Sequence, residues 1–203
     1  MTTEQRNRPG AALVEHLERL VREDDRAALA QLRRALGQPV GMATEAHRHV
    51  LPFIRTEASL TEVADAYLIA SLFALWHQGK DQPRSVSVER RTNLGLSFRL
   101  LPEEVRTGSV EGRFRALLNA DREELSEHLR HAISLLRAND VAVDWSRLYG
   151  DVRGWGSDDR WVQREWARAY WGGTAPSGGE RAAGDRHDRD DIDDADNTDD
   201  STT

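Results

Sequence analysis

The chain has 203 residues, a net charge of −7 and no cysteine. That length holds one domain or two small ones with ample core, and the missing cysteine excludes disulfides, thiolate zinc sites and cysteine nucleophiles. The charge is unevenly placed: residues 180–203 carry ten acids against three arginines, while the other 25 acids and 25 bases cancel. Any basic face on the folded body must therefore be balanced by an acidic one. Of the 28 basic residues only Lys80 is a lysine. GC-rich coding explains that bias more readily than function does, although the guanidinium fork suits phosphate. No N-terminal apolar run follows a basic region, and the most apolar stretch, Val63 to Trp76, contains Asp65 and is too short to span a bilayer. A soluble, cytoplasmic protein with no membrane contact is expected.

Residues 1–9 are polar, end in Pro9 and read as a frayed terminus. Leu13, Leu17, Leu20 and Val21 recur at helical spacing over about 10–23. Asp25 can cap a second helix, about 26–36, that ends at Gly37 before Pro39. Thr44 can cap a short helix that must stop before Pro52. Ser59-Leu60-Thr61-Glu62 is a capping box ahead of an apolar run reaching Gln78, where Gly79 supplies the stop. That helix has little polar face and reads as the buried centre of an N-terminal bundle, 10–80. Residues 79–86 are the best candidate boundary.

A C-terminal bundle, 86–172, follows. Its first segment, Val88 to Leu101, is weak, interrupted by Gly95 and ended by Pro102. A helix at about 110–119 comes next. Asp121-Arg122-Glu123-Glu124 opens another, with Leu125, Leu129, Ala132, Ile133 and Leu136 on one stripe. Asp144 caps about 145–153 and Asp158 caps about 159–172. Val141 and Val143 make too short a run for a sheet. From Gly172 the composition turns to Gly, Ser and then Asp, so 173–203 is expected to be a disordered acidic tail. The fold class is all-α: two packed helical bundles and the tail.

Arginines are the first candidates for function. Arg33-Arg34, Arg90-Arg91, Arg113 with Arg115, Arg122, Arg130 with Arg137, and Arg160 with Arg164 and Arg168 lie on or beside predicted helices. Arg160, Arg164 and Arg168 share one face, and Arg122 and Arg130 roughly do. Each can equally be part of a solvated face paired with acids such as Glu123, Glu124 and Glu165. Five tryptophans fall within 145–171. Aromatics beside arginines can stack single-stranded bases, but Trp145, Trp161 and Trp166 read as core, with Trp155 in a glycine-flanked turn. The pairs His47-x-His49 and His128-x-x-His131 lack the Glu-x-x-His pattern of a dimetal bundle. There is no zinc-protease helix, nucleophile elbow or phosphate loop. No metal, cofactor or catalytic group is expected.

Read in order, Leu32-Arg33-Arg34, His49-Val50-Leu51-Pro52-Phe53, Ala120-Asp121-Arg122, Leu129 to Ile133, Val143-Asp144-Trp145, Trp155-Gly156 and the aromatic finish Trp161 to Trp171 carry a family pattern. Over roughly 30–172 the chain resembles the CasB family, the small subunit of the type I-E CRISPR surveillance complex Cascade. The resemblance implies a non-catalytic subunit of a crRNA-guided complex. It would pack against the backbone subunit (CasC), the large subunit (CasA) and another copy of itself, and stabilise opened target DNA, above all the displaced strand. Arg34, Arg113, Arg130 and Arg160 match places where the family tends to be basic. With the helix faces, they give a candidate nucleic-acid interface of Arg33, Arg34, Arg113, Arg122, Arg130, Arg160 and Arg164. Ser157-Asp158-Asp159 depart from the basic residues the family often has after the Trp-Gly pair, which argues against a phosphate contact at that turn. The alternative is a free-standing helical DNA-binding regulator, which would need a self-complementary dimer face and would bind duplex alone.

Overall fold

Ser59 starts the helix around which the others pack. Its Oγ accepts from the Glu62 amide at 3.2 Å, and the Glu62 carboxylate accepts from the Ser59 amide at 3.0 Å, so two donors that a helix start leaves orphaned are satisfied. The computed structural model describes residues 10–80, 82–83 and 92–172, all within one unit, 1–173; residues 174–203 form a second and lie outside the described residues. So do the expected frayed terminus 1–9, the acidic tail from 173, and Arg90-Arg91.

The described residues form nine α-helices and no strand. They are α1 (Ala11–Arg22), α2 (Arg26–Arg34), α3 (His47–Val50), α4 (Leu60–Trp76), α5 (Leu94–Arg99), α6 (Gly108–Asn119), α7 (Leu125–Ala138), α8 (Trp145–Arg153) and α9 (Trp161–Trp171). α4 is buried nearly all round, through Ala66, Ile69, Leu72, Phe73 and Trp76. It packs against α1, α2, α7 and α8. Truncating Phe73 or Trp76 would cost about 3–5 kcal/mol, the usual range for a fully buried aromatic. The Trp76 indole also donates to the Val141 carbonyl at 3.0 Å, a tie across 65 residues of sequence.

Local signals explain most helix starts. Asp25 accepts from Ala28 and Asp144 from Arg147, each at 2.9 Å. Four starts differ from expectation. Thr44 caps nothing: Thr44–Ala46 is a single 3-10 turn, and the chain continues through α3 into a second such turn, Leu51–Phe53, that admits Pro52. The weak segment contains α5, capped by Asn93 accepting from Leu96 at 3.0 Å. Its Gly95 is a packing site: a Cβ there would stand 2.0 Å from the Trp166 carbonyl oxygen, so the missing side chain lets α9 lie against α5. Asp121 accepts from the Glu123 and Glu124 amides, but helix geometry begins only at Leu125. In α9 the capping oxygen comes from Asp159, not Asp158. Arg160 takes a left-handed conformation (φ 50°) and Asp159 accepts from the Trp161 amide at 3.3 Å.

Candidate nucleic-acid interface

Three of the seven candidate arginines turn toward the fold. Arg122 precedes α7 and shares no face with Arg130. Its guanidinium pairs with the Asp65 carboxylate on α4 and donates to the Val152 carbonyl at the end of α8. Burial pushes the Asp65 pKa up, and Arg122 pulls against it. Arg160 lies outside α9 proper, so it does not continue the face of Arg164 and Arg168, and it donates to the Leu118 carbonyl of α6 at 2.5 Å. Arg33 is half-buried and donates to the Ala74 carbonyl at 3.4 Å.

The other four face solvent. Arg34 pairs with Glu45 at 2.5 Å, both side chains exposed. Arg164 stands 3.4 Å from Asp159. Exposed pairs of this kind are worth little and open easily. Arg113 on α6 and Arg130 on α7 are exposed, with no ion pair or side-chain hydrogen bond among the described residues. Arg137 is two turns beyond Arg130 on the same face of α7, about 10 Å along the axis. It donates to the Gln78 carbonyl at 3.2 Å. Burial lowers the Arg33 pKa, and the positive charges of Arg137 and Arg34 lower it further, which puts the end of α2 beside the end of α7. Arg130 and Arg137 therefore form a basic strip along α7, with Glu127 one turn before Arg130 and the half-buried Arg33 at the far end.

Between α6 and α7 lies a cleft of about 480 Å³. Phe98, Ala116, Leu117, Ala132 and Leu135 make its apolar floor, and Arg113, His128, His131 and Ser134 line it. Arg113 lines this cleft, and Arg130 and Arg137 lie on the helix packed beside it, so two neighbouring helices carry positive charge. Such charge can take up phosphates without reading bases, because counterion release rewards each contact.

Most of the aromatic residues cannot take part. Trp145, Trp155 and Trp166 are buried. Trp155, in its glycine-flanked turn, is core because its indole donates to the Ala120 carbonyl at 3.0 Å. Trp166 donates to Asp151 at 2.7 Å, and Asp151 also takes Arg147 at 2.7 Å, which in turn reaches Glu165. This network clamps α8 to α9. Trp161 lies on Gly154, where a Cβ would stand 2.4 Å from its ring. Trp171 alone of the tryptophans in the described residues is exposed. Arg106, also exposed, had no periodic signal, because it follows Pro102 in an irregular turn.

Among the described residues no group of three or more His, Asp or Glu side chains is placed to hold a metal ion. In the same residues no helix is long and apolar enough to cross a membrane.

A curated CRISPR-associated protein Cse2 from Thermus thermophilus is 37% identical over 169 residues, covering 82% of this chain and 92% of that protein. The crystal structure of CasB from Thermus thermophilus matches with a TM-score of 0.67 at 34% identity, over 82% of this chain and 99% of that one. A chain of a CRISPR RNA-guided surveillance complex matches with a TM-score of 0.64 at 30% identity, over 78% and 89%. The family model for CRISPR-associated protein Cse2 matches residues 28–171, a span that includes α4, α6 and α7 with Arg113, Arg130 and Arg137, and the chain belongs to the Cse2 family.

Proposed function

We propose that this chain is the non-catalytic small subunit of a crRNA-guided type I-E Cascade complex in the cytoplasm. It packs against the backbone subunit (CasC), the large subunit (CasA) and another copy of itself, and it holds opened target DNA, above all the displaced strand. In such a complex guide pairing reads the sequence and the protein supplies shape and charge. The observation that carries the reading is the positive charge on α6 and α7. Arg113 and Arg130 have no acidic partner among the described residues, on a body whose charges sum to zero. Membership of the Cse2 family, and the likeness to a chain of an RNA-guided surveillance complex, support the assembly.

The test is reconstitution with the backbone subunit, the large subunit and crRNA, comparing the parent with an Arg113→Gln, Arg130→Gln, Arg137→Gln variant. Both should assemble. The variant complex should lose retention of opened DNA, and its salt slope on a single strand should fall by about 2, since each phosphate contact contributes about 0.7. A variant complex that holds opened DNA as well as the parent removes these three arginines from the interface. A parent chain that fails to co-purify with the backbone subunit and crRNA overturns the subunit reading.

A further inference from the structure

Trp171 closes α9 with 46% of its surface exposed, while Trp76, Trp145, Trp155 and Trp166 are all at 2% or less. The ring is held in place by its neighbours. Its centroid lies 5.5 Å from that of the fully buried Phe114 and 5.0 Å from Tyr170, at interplanar angles of 60° and 82°. Both contacts meet the indole at steep angles, so neither covers a face by stacking. Burial raises the Tyr170 pKa and Glu111 adds to that, whereas Arg106 and Arg115 oppose it, so both guanidinium groups are within electrostatic reach. Arg115 is committed to Glu111 at 2.5 Å. Arg106 is not committed to any side chain among the described residues, and neither is Arg168, one turn before Trp171 on the same helix. Glu103 and Glu104 precede Arg106 in its turn. Leu100, 60% exposed, is the other large apolar residue left uncovered in this part of the sequence.

We propose that Trp171 is a base-stacking platform for single-stranded nucleic acid, with Arg106 and Arg168 taking the flanking phosphates. A fixed indole beside exposed, uncommitted guanidinium groups suits a strand whose bases are unpaired, because every base offers a π face and none must be read. A duplex hides those faces, so the platform selects opened strands over closed ones. This rests on the reading that the chain handles opened DNA, but it uses a different helix end from the α7 strip, and the two separate by experiment.

The full chain is titrated with a labelled oligo(dT) and with an abasic strand of equal length, read by anisotropy and by quenching of tryptophan fluorescence. The parent should bind oligo(dT) roughly five- to a hundred-fold more tightly than the abasic strand. Trp171→Leu, which keeps apolar contact with Phe114, should bring that ratio close to one, and Trp171→Phe should keep most of it. Arg113→Gln with Arg130→Gln should weaken both strands and leave the ratio unchanged. A ratio of one in the parent, or a ratio that survives Trp171→Leu, overturns the platform. If the Arg113 and Arg130 variant binds both strands like the parent while Trp171→Leu still removes the ratio, the reading of the α6 and α7 arginines fails and the platform stands. Binding of neither strand overturns both.

Discussion

Arg122 and Arg113 are both arginines of the C-terminal half, and replacing each by alanine should give opposite phenotypes. Arg122→Ala strands the Asp65 carboxylate, which is 3% exposed and keeps no other charged partner at hydrogen-bond distance. Breaking a buried pair from one side costs about 3–5 kcal/mol. The Arg122 side chain is itself 32% exposed, so water partly replaces it, and a loss of about 2–4 kcal/mol is expected. For a folded body of this size that lowers the melting temperature by about 5–15 °C. Arg113→Ala should stay within about 0.5 kcal/mol of the parent and should instead reduce the salt slope on a single strand by about 0.7. Two measurements suffice: thermal melts at pH 7 by circular dichroism, and anisotropy titrations across a salt series. An Asp65→Leu, Arg122→Met double variant should recover much of the lost stability, since an apolar pair of similar bulk leaves no orphaned charge. If Arg122→Ala melts with the parent yet weakens strand binding as Arg113→Ala does, Arg122 belongs to the interface and the buried-pair argument is wrong.

Two further outcomes test the core. His77 is stacked on Phe73 and lowered by burial to about 4, so below pH 6.5 the unfolded chain takes up a proton that the fold refuses. Stability should fall by about 3 kcal/mol between pH 6.5 and 4 through this group, and a His77→Phe variant whose pH profile over that window matches the parent's would refute it; His16 and His49, also lowered mainly by burial, act in the same sense in both proteins. Gly95→Ala should drive a methyl into the Trp166 carbonyl and lower the melting temperature by about 3–10 °C, whereas Gly112→Ala in α6, where a Cβ meets nothing within 4 Å, should raise stability by about 0.4–1 kcal/mol; a melt that ranks them otherwise refutes the close-approach argument.

The sequence was most legible where structure is local. The caps at Asp25, Ser59 and Asp144 were readable because an oxygen and its amide lie within three residues of each other. The α7 stripe was readable because its spacing meets the helical period. The Gly95 segment was not, because a glycine inside a helix looks like a break until the backbone that presses on it is known. The arginines divide the same way. Their positions on helices were visible, but not their direction, since Arg122 and Arg160 are claimed by groups 57 and 42 residues away. Arg130, which no such partner claims among the described residues, kept the solvent-facing role its helix position suggested.

Arg33 and Arg137 each give a hydrogen bond to a carbonyl at or just beyond the last turn of α4, Ala74 and Gln78. A helix ends in unpaired carbonyls and partial negative charge, so the pair stabilises the C-terminal end of the central helix α4. A guanidinium has five N–H donors, and each of these contacts occupies one. The remaining donors can still grip a phosphate while the helix end stays covered. A lysine ammonium holds its three N–H donors on one nitrogen, so it cannot span two separated acceptors as the planar fork can. At these two positions Arg→Lys is therefore a change of valence rather than of charge: net charge, fold and electrostatic steering would persist, while strand retention and the last turn of α4 would compete for the same group.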